Sequence, residues 1–300
     1  MTSINEDHVK LSVIIISYNT QTITRNCLDS ILKSHISVPF EIIVIDNAST
    51  DGSVSMLENI SNTHPHIRLI KNQKNVGFAK ANNQGIHASR GEYTLLLNSD
   101  TVVLDDAIQK LFLFLAENPN VHFAGGKLLN SDGSDQPSCG PFYSLPVVFG
   151  ALFLRGDYWG LTRYSPNKMK EVDWVSGACI LTKKACFEHV AGFDEGIFMY
   201  MDETDLLYRA KQLGYRVFFY PQAHFTHLGS SSSKGKTYPI LQVYRGFVYF
   251  YRKHYSPFDM FLLKGMLKLK ALAALFIGKI RHDPYLIQTY EKALSIAQEN

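Results

Sequence analysis

Two short acidic stretches, far apart in the chain, carry the side chains best suited to chemistry: Leu95-Leu96-Leu97-Asn98-Ser99-Asp100 and Met201-Asp202-Glu203-Thr204-Asp205-Leu206. In each, carboxylates follow an apolar run that reads as the end of a buried element, where an α/β protein presents chemistry to a ligand. One acid could hold a cation while another moves a proton. Both stretches also have plainer readings. Asp100 could cap a helix ahead of Asp105-Asp106, and Asp202 to Asp205 could be a solvated first helical turn, where the macrodipole favours acids.

Other residues suit a nucleotide. Val44-Ile45-Asp46-Asn47-Ala48-Ser49-Thr50-Asp51-Gly52 places an acid and small polar groups at the carboxyl end of a strand, and an ionised Asp46 could accept the imide N–H of uracil or thymine. Capping the next helix is the competing role, which Ser49 or Asp51 fills equally well. Asn75-Val76-Gly77-Phe78-Ala79-Lys80 is a glycine turn into a helix bearing a lysine, a plausible contact for ribose or phosphate. His227 could complete a metal shell begun by Asp100; a mixed oxygen and nitrogen shell suits Mn²⁺, whereas Mg²⁺ prefers oxygen. A structural histidine is the alternative. There is no G-x-G-x-x-G, and the stretch from Gly229 through Lys234-Gly235-Lys236 misses the P-loop spacing by one residue, so neither dinucleotide chemistry nor a phosphate-cleaving motor is indicated.

The elements that must position these residues alternate between strand and helix. Leu11 to Ser17 and Glu41 to Ile45 are continuous β-rich apolar runs, as parallel strands buried on both faces are. Between them, Thr22 to Ser34 has helical spacing at Ile23, Cys27, Ile31 and Leu32, making a βαβ unit. A turn at Thr50-Asp51-Gly52-Ser53 opens a second helix, His66 to Lys71 is a short strand, and Phe78 to Ala88 a third helix leading to the strand Tyr93 to Leu97. Asp105 to Glu117 reads as a helix ended by Pro119. Asn130 to Pro146, rich in Gly, Ser and Pro, reads as a mobile substrate loop. Trp174 to Leu181 reads as a strand, Thr204 to Leu213 as a helix stopped by Gly214, and Arg216 to Tyr220 as a final short strand. The pattern predicts a doubly wound, mostly parallel α/β sheet with helices on both faces.

A chain of 300 residues, 46% of them apolar, can hold one large domain or a main domain with an appendage. Its 30 basic and 27 acidic residues leave a net charge of +3, too balanced to indicate a nucleic-acid binder. Cys27, Cys139, Cys179 and Cys186 show no C-x-x-C spacing, so neither a zinc site nor a disulfide framework is indicated and a reducing cytoplasm fits. Met1 to Asp7 lacks a basic segment followed by an apolar one, so no secretory signal is visible.

The chain changes character after residue 240. A Tyr/Phe/Arg cluster from Tyr244 to Tyr255 precedes Phe258 to Ile280, where Leu262, Met266, Leu269, Ala273, Phe276 and Ile280 share one helical stripe. Lys264, Lys268 and Lys279 project from roughly the opposite side at ~100° per residue, so the segment is too interrupted to span a bilayer. It could lie in a membrane interface, or pack on its own domain.

Taken together these residues resemble the family-2 glycosyltransferases of the GT-A fold, in particular the bacterial rhamnosyltransferase-like branch. The resemblance runs from about Leu11 to Tyr255 over ordered blocks: Ser12 to Asn19, Ile45 to Ser53, Asn75 to Phe78, Leu97 to Asp100, Gly192-Phe193-Asp194-Glu195 and Asp202 to Leu206. It implies a catalytic domain over 1–240, with a nucleotide-sugar half to about 125 and an acceptor half beyond, and a helical segment over 241–300. It implies a nucleotide sugar held by Ser17, Tyr18, Asn19, Asp46, Asn47, Gly77, Lys80, Asn98, Ser99 and Asp100. The family's D-x-D position binds the divalent cation (Mn²⁺ or Mg²⁺). Its first acid is Asn98 here, leaving Asp100 to carry that role with His227, which matches a metal-coordinating histidine of some relatives. The family's acid pair falls on Asp202-Glu203. Glu203 matches the general base, a position usually held by Asp, with Asp202 as the substitute.

The chemistry so implied is an inverting transfer of a sugar to a hydroxyl of a cell-surface glycan or its lipid-linked precursor, with dTDP-rhamnose the first donor to test and a UDP-sugar the alternative. Trp174, Ser176 and Gly177 are expected to line the acceptor side, since an aromatic face packs on sugar C–H groups; Trp174 could equally be core. Peripheral contact with the inner face of the cytoplasmic membrane is expected from the lysine-bearing C-terminal helix. Two other classes compete. A nucleotidyltransferase would show a glycine-rich loop with Arg and Lys where Ser17-Tyr18-Asn19-Thr20 stands, and a non-catalytic nucleotide-sugar binder is suggested only by Asn98 and Glu203.

Overall fold

The computed structural model describes residues 9–229 and 237–299; most of the near-miss P-loop stretch and the extreme N-terminus lie outside them. The first half runs β1 (Leu11–Ser17), α1 (Gln21–Lys33), β2 (Phe40–Asp46), α2 (Ser53–Thr63), β3 (Ile67–Lys71), α3 (Phe78–Ala88), β4 (Tyr93–Leu97), β5 (Thr101–Val103), α4 (Ala107–Glu117) and β6 (Phe123–Leu129). The second continues β7 (Asp135–Gln136), β8 (Cys139–Gly140), α5 (Leu145–Phe153), β9 (Lys170–Val172), β10 (Trp174–Val175), β11 (Cys179–Lys183), α6 (Lys184–His189), α7 (Asp202–Gln212) and β12 (Val217–His227). Three helices close the chain: α8 (Thr237–His254), α9 (Pro257–Arg281) and α10 (Pro284–Gln298).

One sheet, ordered β3-β2-β1-β4-β11-β6-β12-β5, runs through both halves. Strands β1 to β4 are mutually parallel, as are β6 and β12, while β11 is inserted antiparallel between β4 and β6. Val13 and Ile15 pack with α1, α2 and α4 on one face, and Ile14 packs with α3, α6 and α7 on the other. Both sides of β1 are therefore apolar, which is why its sequence shows no alternation.

The register gathers the chemistry at one edge. Ser17 is level with Asp46 in the parallel β1–β2 pair, and Ile14 with Leu96 in β1–β4, so these strands deliver Ser17, Asp46 and Asn98 to the same end. Because β11 is antiparallel, its first residue Cys179 lies beside Leu97 and the preceding Ser176-Gly177-Ala178 turn falls at that edge as well. The far end of β12 pairs His227 with Thr101 of β5.

Three expectations need correction. The stretch Asn130 to Pro146 is not a plain loop: Asp135–Gln136 pairs with β6 and Cys139–Gly140 with Trp174–Val175. Trp174 to Leu181 is two strands broken at Ser176, because the chain leaves the small β8–β10 sheet for the large one. The strand placed at Arg216 to Tyr220 continues to His227 through a register shift between Tyr220 and His224, which Pro221 helps to force by removing a ladder donor. Strand β6 contains Gly125-Gly126, a pair that weakens a strand pattern in sequence. Side chains there would meet Val175 and Phe225 at 2.5 Å, so the glycines serve close packing.

The C-terminal helices form their own apolar cluster, joined by Val148 of α5 and Met201. Helix α9 opens with a capping box between Ser256 and Asp259. It buries Leu263, Leu267, Ala271 and Leu275, whereas Leu269, Phe276 and Ile280 of the expected stripe are exposed. The helix is thus apolar on two sides; of the three lysines, Lys268 and Lys279 flank the bare stripe rather than opposing it, while Lys264 lies across from it and donates to the Glu299 carbonyl. Among the described residues no helix is long and apolar enough to cross a membrane.

Candidate active site

Strand geometry puts two side chains into contact that the chain separates widely. Asp100, just past β4, lies with its Oδ1 3.3 Å from Nε2 of His227 at the end of β12, and Asn98 Nδ2 is 3.4 Å from the same nitrogen. The other ring nitrogen meets Gln136 Oε1 at 2.7 Å. That amide is held in place because its Nε2 donates to Asn130 Oδ1 and to the His227 carbonyl. Gln136 Oε1 can only accept, so Nδ1 carries the donating proton and Nε2 is the ring nitrogen that faces the Asp100 carboxylate. Two electron-pair donors so close suit a cation. Among the described residues no third His, Cys, Asp or Glu joins them.

The acid pair of α7 approaches from the other side of the Ser176-Gly177-Ala178 turn. Asn98 N–H donates to the Ala178 carbonyl at 3.0 Å. A side chain at Gly177 would stand 3.5 Å from Glu203 Cβ and 3.7 Å from the ring of Phe78. A chain of contacts therefore runs from His227 and Asp100 through Asn98 and the turn to Glu203. Asp202 is buried, and burial, then the neighbouring Glu203 carboxylate and a hydrogen bond to it, push its carboxyl well above the ordinary range. Burial therefore favours the protonated form of Asp202. Glu203 is the partly exposed member.

The backbone delivering this pair is strained. Tyr200 and Met201 both have positive φ, 67° and 66°, a conformation that costs a non-glycine residue on the order of 1 kcal/mol or more. Met201 is seated on α8, where Gly246 leaves room: a side chain there would come within 2.7 Å of Met201 Cγ. One turn further, fully buried Asp205 accepts from Arg209 (2.8 Å), His254 (2.7 Å) and Lys253 (2.9 Å). Burial alone would raise its carboxyl, but His254, Arg209 and Lys253 outweigh it and hold the group down to about 2.

At the nucleotide end, Asn19 and the β2 loop are cross-tied, with Asn19 N–H donating to Ser49 Oγ and Thr50 N–H to Asn19 Oδ1. Asp46 Oδ1 accepts from Ser49 N–H, while the buried Oδ2 has no partner. An orphaned carboxylate oxygen at a strand end fits a ligand N–H donor.

Residues 12–182 match the family model described as Glycosyl transferase family 2. The chain belongs to that family. Among similar curated proteins, an N-acetylglucosaminyl-diphospho-decaprenol L-rhamnosyltransferase of Mycobacterium tuberculosis is 28% identical over 63% of this chain and 66% of its own. The low-salt glycan biosynthesis hexosyltransferase Agl10 of Haloferax volcanii is 30% identical over 67% of this chain and 62% of its own. The alignments thus span just under two thirds of these relatives' length. Among solved structures, a mannosyltransferase from Pyrobaculum calidifontis in complex with GDP-Man and Mn²⁺ has a TM-score of 0.59 at 17% identity, covering 98% of this chain and 87% of its own. GalNAc-T7 with UDP, GalNAc and Mn²⁺ has 0.65 at 14%, covering 99% and 57%. These likenesses agree with the expected GT-A-type α/β fold.

In this family-2 glycosyltransferase several expected site residues are otherwise engaged. Trp174 is only 4% exposed, its indole N–H donates to the Pro141 carbonyl and its ring stacks on Tyr143, so it offers no open face to a sugar and belongs to the core. Asn47 is buried and bonds Asn72, Asn75, Val76 and Gly77, holding the glycine turn. Lys80 pairs with Glu195 at 3.1 Å. Ser17 is buried against Thr24, Tyr18 is partly exposed, Ser99 lies between Asn98 and Asp100, and Gly77 packs against Phe198. Gln136 and Tyr143 are the residues that the sequence did not offer. Both sit in the stretch read as a loop, and only its unusual length marked it.

Proposed function

We propose that this chain is an inverting, metal-assisted glycosyltransferase that moves a sugar from a nucleoside-diphosphate donor to a hydroxyl of a glycan or lipid-linked glycan precursor, in the cytoplasm. The observation that carries the reading is the convergence of Asp100 and His227 with the Ser176–Ala178 turn and Glu203 at one sheet edge. Asp100 and His227 would hold the cation, Mn²⁺ or Mg²⁺, and when bound it offsets negative charge on the departing diphosphate. Glu203 accepts the proton of the acceptor hydroxyl as that oxygen bonds to the anomeric carbon. The bond from that carbon to the diphosphate oxygen breaks in the same displacement, so nucleoside diphosphate leaves and the carbon inverts. Asp202 donates its proton in a hydrogen bond to Glu203, orienting it.

Asp46 supports a uracil or thymine base, since its unpartnered oxygen can accept an imide N–H. Together with the rhamnosyltransferase among the relatives, this makes dTDP-rhamnose the first donor to test and UDP-sugars the second. The acceptor named for that relative, a sugar diphospho-lipid, makes a lipid-linked acceptor the first choice; such an acceptor is met at a membrane surface. Four free, buried cysteines are compatible with a reducing compartment. The test is donor turnover over a panel of nucleotide sugars, with and without Mn²⁺ or Mg²⁺, in wild type, Asp100→Ala and Glu203→Gln. Asp100→Ala should lose metal-dependent donor binding, and Glu203→Gln should bind donor but not transfer. Release of pyrophosphate from a nucleoside triphosphate and a sugar phosphate would overturn the assignment.

A further inference from the structure

Helix α9 carries a second apolar face that, among the described residues, no element covers. Phe258, Phe261, Gly265, Leu269, Leu272, Phe276 and Ile280 follow one another at three- and four-residue spacing on the side opposite Leu263, Leu267, Ala271 and Leu275, and Phe261 is 71% and Phe276 66% exposed. Gly265 lies on the same stripe, and a side chain there would meet nothing. Basic residues border the stripe on both sides, Lys268 and Lys279 along one and Lys270 and Arg281 along the other. The only acid of α9, Asp259, is occupied by the capping box. Helix α5 packs on α9 through the shared cluster and adds a chargeless run with Phe149 and Leu154 exposed, followed by Tyr158 and Trp159, 75% and 68% exposed.

We infer that the α9 face, with α5 and the Tyr158-Trp159 tip, docks on an anionic phospholipid leaflet, lying in the interface without crossing it. An apolar stripe between rows of lysine and arginine matches acyl chains below and anionic headgroups beside it, and long basic side chains reach up to those headgroups while their stems stay apolar. Tyr and Trp favour the same depth. A second copy of this chain would fit worse, since pairing the stripes would bring basic border against basic border. The face connects to the site through the chain: α5 starts directly after Tyr143-Ser144, and the Tyr143 hydroxyl is within the electrostatic reach of the Glu203 carboxylate. Docking would thus present a lipid-linked acceptor to the site, a consequence that rests on the function proposed above.

The test is co-sedimentation of the full chain with vesicles of phosphatidylcholine, with or without phosphatidylglycerol, at low and high salt. Binding should require phosphatidylglycerol, fall at high salt, and drop about fivefold for each neutralised residue in Lys268→Gln and Lys279→Gln. Phe261→Ser with Phe276→Ser should abolish it. Because Phe261, Phe276 and Lys279 are exposed and Lys268 is only half-buried, the variants should melt like wild type and turn over the donor with a water-soluble acceptor at the wild-type rate. No binding to the anionic vesicles, equal binding to neutral ones, unchanged binding by the variants, or a dimer that the serine substitutions dissociate would each overturn the inference. Donor turnover without vesicle binding would sink this surface alone, whereas vesicle binding without turnover of any donor would sink only the proposed function.

Discussion

His227 Nε2 lies 3.3 Å from Asp100 Oδ1, and its other ring nitrogen is fixed by Gln136 at 2.7 Å. The carboxylate comes from the end of β4, the imidazole from the end of β12 and the amide from β7, so three strands must keep register for the pair to exist. Partners behind a ligating histidine set its tautomer and orientation, and their loss typically costs roughly 10- to 100-fold in metal affinity or activity. Gln136→Ala should raise the Mn²⁺ concentration for half-maximal donor turnover by that factor. An unchanged Mn²⁺ titration would show that the imidazole needs no support from β7.

Asp202 and Glu203 should respond differently to loss of charge. Burial favours the protonated form of Asp202, so Asp202→Asn keeps a neutral hydrogen-bond donor of similar shape and should cost less than about tenfold in kcat. Glu203→Gln removes the proton acceptor and should cost ~10²- to 10⁴-fold in kcat with donor affinity unchanged. Steady-state kinetics on both variants, with donor binding by calorimetry, decides the matter. The reverse ranking would move the base to Asp202.

The strained Tyr200-Met201 turn depends on a glycine of another helix. Gly246→Val would press on Met201 Cβ and Cγ rather than on a flexible side-chain tip. It should therefore displace the start of α7, and a shift of about 1 Å in a catalytic group can cost up to ~10²-fold in kcat. The loss should appear in kcat while the donor KM stays near wild type. Equal changes in both would point to general unfolding instead.

Asp205 predicts a limit on the acid side. Its carboxyl is held at about 2 in the folded chain against ~3.9 for an unperturbed Asp, so it contributes stability that is present above pH ~4 and lost as pH falls through about 2. The contribution is on the order of 2 kcal/mol. Asp205→Asn should lower the Tm at neutral pH and narrow the gap to wild type as pH approaches 2. A gap independent of pH would remove the ionic network with Lys253 and His254 as its cause.

Much of the fold was legible in sequence. The apolar runs at Leu11 to Ser17 and Tyr93 to Leu97, the helix from Phe78 to Ala88 and the acid stretches at Asp100 and Asp202 needed only periodicity and composition, since a strand buried on both faces and an amphipathic helix leave different patterns. Strand β6 was hidden because its glycines answer to Val175 and Phe225, residues remote in the chain. Trp174 was ambiguous for a similar reason: an indole that stacks on Tyr143 and one that faces a sugar have the same local sequence.

By itself the sequence determined the supply of chemistry: which residues end each strand, which carboxylates are available, and that a lysine-bearing helix follows. Only the tertiary structure decided which of these meet. Sheet order set β12 beside β5, bringing His227 to Asp100, while burial raised the Asp202 carboxyl and packing turned one apolar face of α9 outward. The physical reason is that local patterns report a residue's own element, whereas contact, desolvation and exposure depend on neighbours supplied from elsewhere in the chain.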